Sequence, residues 1–178
     1  MIRQATESDS IKISALATQV FLDTYATEGV SERIARYVVE NFRPEDFENR
    51  FHTEGRETYL YELEGNLVGL MELHLAVPCP ARPACRLEIE TLYVSRHFHA
   101  RGIGRDLLAL ALDRSRGPSG GKEGEKGTGA GLWLTVNHQN TAAIRFYDKL
   151  GFEKIGTDFF DLLGESHENH ILWRAPPI

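Results

Sequence analysis

A chain of 178 residues that is 42% hydrophobic and 10% aromatic carries enough apolar surface for a core, which excludes bulk disorder. Its formal net charge of -6, from 20 Lys+Arg against 26 Asp+Glu, argues against nucleic acid as a partner and mildly favours small cations. No apolar run reaches the ~18 residues of a membrane span, the N-terminus lacks a leader pattern, and Cys79 and Cys85 fit neither a disulfide framework nor zinc spacing, so a reducing cytoplasm is expected.

Ile2–Ala5 reads as a short first strand. From Ser8 or Asp9, either of them a suitable N-cap, apolar residues at Ile11, Leu16, Val20 and Phe21 follow a loose helical period. Ser31 opens a second helical stretch holding Ile34, Val38 and Val39, and Pro44 opens a short third one. The period then turns to alternation. Residues 58–63 and 67–75 read as strands joined by the hairpin turn Glu64-Gly65-Asn66. A proline-punctuated loop over 77–83 leads to a strand at 87–94, a Gly-bearing turn and an apolar helix over 103–112. Residues 117–129 are Gly-rich with no apolar anchor, and a mobile loop is expected at about 117–130. A strand over 132–136, a helix over 140–150 and two strands at about 152–161 and 167–174 close the chain. The pattern predicts one α/β domain spanning 1–178, with a mixed sheet of about six or seven strands flanked by helices.

The stretch richest in chemistry runs from Leu92-Tyr93-Val94 through His99-Ala100-Arg101-Gly102-Ile103-Gly104-Arg105. Here a strand ends, a loop turns and a helix opens on Gly-x-Gly. The first N–H groups of a helix have no intrahelical acceptor, and that end of the dipole is positive, so the junction suits phosphate oxygens. Glycine lets an anion reach the backbone with no Cβ in the way, and Arg101 and Arg105 add charge. A dinucleotide fingerprint would need a third glycine and an early first βα unit, and a P-loop would need Gly-Lys-Ser/Thr. Neither is present, and on this stretch alone a plain helix start remains open.

A second segment, Val136 to Phe152, follows the next strand. Asn140 suits an N-cap, Ala143 allows close approach and Gly151 is a helix stop. Asn140 and Tyr147 lie about two helical turns apart and face one way. Together the segments match Arg/Gln-x-x-Gly-x-Gly/Ala followed by Asn-x-x-Ala-x-x-Phe-Tyr-x-x-x-Gly-Phe. The chain therefore resembles the GNAT superfamily of acyl-CoA-dependent N-acyltransferases over nearly its whole length. His99 departs from the usual Arg or Gln. Val20–Tyr25, Leu87–Val94 and the stretch from Gly156 resemble the PaiA-type branch of polyamine (spermidine/spermine) N-acetyltransferases, which usually carries an aromatic residue where Asn137 stands.

The resemblance implies direct acetyl transfer from acetyl-CoA, as co-substrate, to a primary amine. An ammonium acceptor must lose a proton before attack, which asks for a carboxylate. Glu90 is the favoured base and Glu88 a water-linked second; the two share a strand face with Leu92, and each reads equally well as a solvated or ion-paired side chain. Tyr147 would protonate the leaving thiolate, a backbone N–H near Leu92 to Val94 would meet the oxyanion, and Leu92 and Val94 would pair with the pantetheine arm. Cofactor contacts are further expected from Tyr93, His99 to Arg105, Asn137, Asn140 and Ala143. Asn140 would bind pantetheine, cap its own helix, or do both.

A polyamine or similar small cationic amine is the expected acceptor. A protein, peptide or amino-acid acceptor, or a non-catalytic acyl-CoA-binding regulator, are the alternatives. Asp23, Tyr25 and Glu28 either line an acceptor pocket or end a solvated helix. No metal is expected, because His167 and His170 lie three apart on a strand and so face opposite ways. His97 and His99 sit beside the phosphate site, His138 is expected at the surface, and Trp133 and Trp173 in the core. Neither nucleic acid nor membrane is an expected partner, and the chain is expected as a monomer or homodimer.

Overall fold

The computed structural model describes residues 1–116, 130–162 and 164–176. The Gly-rich loop expected at about 117–130 lies, Ala130 apart, outside the described residues. In chain order the elements are β1 (Ile2–Gln4), a 3-10 turn (Glu7–Asp9), α1 (Ser10–Tyr25), α2 (Glu32–Asn41), α3 (Pro44–Phe51), β2 (Arg56–Leu63), β3 (Asn66–His74), β4 (Glu88–Val94), a second 3-10 turn (Arg96–Phe98), α4 (Ile103–Ser115), β5 (Leu132–Asn137), α5 (Thr141–Lys149), β6 (Glu153–Leu162) and β7 (Glu165–Arg174). The strands form a seven-stranded sheet in the order β1-β2-β3-β4-β5-β7-β6. It is mixed: β4 and β5 run parallel with Glu88 opposite Trp133, while β1–β2, β5–β7 and β6–β7 are antiparallel. Among the described residues no helix is long and apolar enough to cross a membrane.

The chain divides into two compact units, Met1–Glu72 with Thr91–Leu108, and Leu73–Glu90 with Ala109–Ile178. In the first, Ile13, Leu16 and Ala17 recur on one face of α1 and bury against Phe47, Leu60 and Leu70. The β2–β3 turn carries φ of 50° at Glu64 and 79° at Gly65, the paired positive values of a type I′ hairpin. Asp9 does not cap α1 with its side chain. Its carboxylate accepts both arms of the Arg3 guanidinium, at 2.7 and 2.8 Å, and the Thr6 N–H at 2.9 Å. The Arg3 fork holds that carboxyl well below its ordinary range. Glu72, whose side chain is 4% exposed, accepts from Arg50 at 2.7 Å, and the Arg50 guanidinium lies 4.7 Å over the Phe47 ring.

The second unit is built on β5, β7 and β6. Cys79, Cys85, Trp133 and Ile171 form its core cluster, with Trp173 partly buried against them. Nested turns hold the cysteines: the Cys79 N–H donates to Cys85 C=O at 2.8 Å and the Cys85 N–H to Arg82 C=O at 2.8 Å. Both thiols are free and buried, and burial pushes Cys85 up to about 11, so that thiol keeps its proton at neutral pH.

Candidate active site

The β4–α4 junction lies within the first unit. Leu92, Tyr93 and Val94 are half-buried. Burial pushes the Tyr93 phenol above its ordinary range. The Ser95 N–H donates to Val68 C=O at 2.9 Å, which ties the end of β4 to β3. Phe98 and His99 then donate to Ser95 and Arg96 at 2.8 and 3.2 Å, forming a 3-10 turn where the sequence suggested a plain loop. Ala100 has φ of 61° and Gly102 of 84°, two left-handed residues that reverse the chain in a short span. For Ala100 this conformation costs about 1–2 kcal/mol.

The first helical hydrogen bond of α4 runs from the Asp106 N–H to Gly102 C=O at 2.9 Å. The N–H groups of Ile103, Gly104 and Arg105 precede it, so the helix itself offers them no acceptor. They mark an end that suits a pyrophosphate. Arg101 and Arg105 are exposed, with the Arg101 guanidinium 4.9 Å from the Phe98 ring centroid. The His99 ring Nε2 lies 2.9 Å from Val94 C=O and ties the loop to the strand end.

Gly69 on β3 is a positioning residue that the sequence reading passed over. A Cβ there would lie 2.9 Å from Ile103 Cγ2, 3.2 Å from Tyr61 Cβ and 3.3 Å from Leu107 Cδ1. Ile103 and Leu107 are buried, so the first turn of α4 sits on β3 only because position 69 has no side chain. The available signal was an isolated glycine inside a strand pattern. Gly69→Ala should displace that turn, destabilise the fold by about 1–3 kcal/mol and weaken coenzyme A binding. Calorimetric titration with a parallel thermal melt checks this, and unchanged binding would refute the role.

The remaining predicted catalytic and cofactor residues lie in the second unit. Asn140 caps α5, its Oδ1 accepting from the Ala143 N–H at 3.1 Å, so the capping role is the one observed. Asn137 Oδ1 accepts from the Gln139 N–H at 2.8 Å and shapes the turn before α5. Tyr147 is 8% exposed and lies between Phe146 and Phe152, with ring centroids 5.2 and 5.4 Å away. Burial pushes its phenol above the ordinary range, so the hydroxyl keeps its proton at neutral pH. Ile89 is buried between Glu88, half-buried, and Glu90, exposed, as alternation requires. His138 is exposed, with Nδ1 3.0 Å from Glu168 C=O.

Residues 27–152 match the model of the acetyltransferase (GNAT) family. A curated relative, an uncharacterised N-acetyltransferase of Lactobacillus delbrueckii subsp. lactis, is 26% identical over 173 residues, 96% of this chain and 94% of that one. The crystal structure of PaiA N-acetyltransferase from Thermoplasma acidophilum in complex with coenzyme A matches with a TM-score of 0.73 at 21% identity, covering 98% of each chain. A spermidine N-acetyltransferase SpeG mutant from Vibrio cholerae matches with a TM-score of 0.64 at 19% identity, covering 99% of this chain and 93% of that one. At such identities the two structures report on fold.

Proposed function

This chain belongs to the GNAT acetyltransferase family and is an acetyl-CoA-dependent N-acetyltransferase; from that premise we propose that its acceptor is the primary amine of a polyamine or similar small cation. The observation that carries this reading is a cavity of about 490 Å³ at the turn from α1 to α2, lined by Tyr25, Thr27, Glu28, Gly29, Val30, Ser31 and Ile34. It offers an ammonium a carboxylate and an aromatic face, and its lining contains no basic side chain. The acidic balance of the chain agrees with a cationic ligand.

Transfer is direct. The ammonium gives its proton to Glu90, or to Glu88 through a water, and the freed nitrogen lone pair attacks the thioester carbonyl carbon. A C–N bond forms, and the oxyanion is held by a backbone N–H near Leu92 to Val94. The carbonyl re-forms as the C–S bond breaks, and the sulfur takes its proton from Tyr147. The surplus proton on the new amide nitrogen passes through solvent to the phenolate, leaving a neutral amide and a restored tyrosine. Leu92 and Val94 hold the pantetheine arm through backbone groups, and the N–H groups opening α4 hold the pyrophosphate.

Thiol release from acetyl-CoA with spermidine, a lysine peptide or buffer alone tests the acceptor. Saturable release with spermidine, at a kcat/KM at least tenfold above the peptide, is expected. Equal or better turnover of the peptide would replace the polyamine by a protein acceptor, and coenzyme binding without release on any amine would point to a regulator.

A further inference from the structure

Glu72, near the end of β3, has a side chain 4% exposed, and Arg50 of α3 reaches its carboxylate at 2.7 Å. The guanidinium lies 4.7 Å over the ring of Phe47, which is itself buried. Taking two charges out of water is expensive, and apolar side chains of similar volume often leave a protein as stable or more so. Stability therefore does not account for an ion pair at this place. Its surroundings do. Beyond its burial, the Tyr93 phenol is reached by the charges of Tyr25 of α1, Glu72 of β3, Tyr37 of α2 and Arg50 of α3. Tyr93 also packs against the cluster built on Ile13, Leu16 and Phe47, so its ring spans from β4 to the elements that carry the pair. All of these residues lie in the first unit.

Side chains alternate along a strand, so Tyr93 stands on the face of β4 opposite to Leu92 and Val94. The backbone groups of that stretch are the ones read above as meeting the oxyanion and the pantetheine arm. A donor aimed at a developing charge works only when its place is set in advance, and a small displacement of the reacting groups is costly. The end of β4 is fixed by the Ser95 N–H, which donates to Val68 C=O at 2.9 Å, and Tyr93 is the side chain that anchors the strand two residues earlier. We propose that Arg50 and Glu72 are positioning residues for acetyl transfer: as a pair they hold the Tyr93 ring, and the ring sets the place of the Leu92 to Val94 backbone at the thioester. The pair acts through Tyr93 and moves no proton in the reaction. The inference rests on the reading of that backbone given above and is independent of which amine accepts the acetyl group.

The test replaces the pair by apolar side chains, Arg50→Met with Glu72→Leu, and compares this double variant with Tyr93→Phe and with all three changes together. Thermal melts, equilibrium binding of coenzyme A, and initial-rate thiol release with spermidine and with a lysine peptide are measured on each. The double variant should melt within about 5 °C of the wild type or above it, because the two charges add little net stability. Its kcat should fall about tenfold or more with both acceptors, while coenzyme A affinity stays within about threefold. Tyr93→Phe should lower kcat to a similar extent, and the triple variant should lie within about twofold of the double, because the changes act through one ring. A double variant with full kcat, or one that melts far below the wild type, overturns the assignment and leaves the acetyltransferase reading intact. So does a loss confined to one acceptor, which would move the role to the cavity that Tyr25 lines, or a Tyr93→Phe loss that multiplies with that of the pair. A wild type that releases no thiol with either amine would overturn this assignment together with the proposed transfer.

Discussion

Tyr147→Phe should lower kcat for acetyl transfer by about 100-fold or more, the usual scale for losing a positioned general acid. Acetyl-CoA affinity should stay within about twofold, because only an interaction of the departing sulfur is removed. The ring remains between Phe146 and Phe152, and phenylalanine keeps both edge contacts, so the fold should survive. Burial has raised the phenol above its ordinary value of about 10, so Tyr147 stays protonated as pH rises through neutrality and imposes no loss of activity there. Initial-rate thiol release combined with calorimetric binding reads both quantities. An unchanged kcat would remove Tyr147 from the chemistry and leave it as a packed helix aromatic.

Among the described glycines of the second unit, Gly131→Ala should be the most damaging change to alanine. Gly131 has φ of +95°, and a Cβ there would lie 2.3 Å from the Arg174 backbone oxygen and 2.7 Å from Trp173 Nε1. Neither atom is the free end of a flexible chain. Trp173 is held by its indole N–H, which donates to Ala130 C=O at 2.9 Å, and Arg174 is in register with Leu132. Strain of about 1–2 kcal/mol for the left-handed backbone adds to about 1–3 kcal/mol for overpacking. At roughly 2–4 °C per kcal/mol for a chain of this size, Tm should fall by roughly 4–20 °C. Gly65→Ala is the comparison: φ is +79° but nothing lies within 4 Å of the added Cβ, so only the backbone term is lost. Equal losses at the two positions in thermal melts would show that the clash at Gly131 is relieved at no cost.

Much of the fold was legible in chain order because its signals act over a few residues. Ser31 and Asn140 accept from the N–H groups of Ile34 and Ala143, as their place before helical stretches predicts. Glu64-Gly65 turns the β2–β3 hairpin, and Gly151, with φ of 78°, ends α5. Helix ends were less legible. The fourth helix runs on to Ser115, beyond Leu112, the last residue whose apolar spacing marks it. The backbone of the β4–α4 junction was readable too, since Gly102-Ile103-Gly104 after a strand determines which backbone N–H groups the helix leaves over.

Side-chain partners were a different matter. Asp9 reads as an N-cap, yet the Arg3 fork and the Thr6 N–H take its carboxylate, because two charge-assisted hydrogen bonds outweigh one cap. His99 stands where the family carries Arg or Gln, and its ring lies on Val94 C=O. Gly69 reads as an unremarkable strand glycine until Ile103 and Leu107, more than thirty residues further along the chain, lie against it. By itself, then, the sequence determined the order and type of the elements, the acetyltransferase family and the backbone of the β4–α4 junction, all of which depend on propensity, caps and glycines acting locally. Only the tertiary structure decided which carboxylate meets which guanidinium, where a missing Cβ lets α4 approach β3, and which side chains gather around Tyr93, because those contacts join residues far apart along the chain.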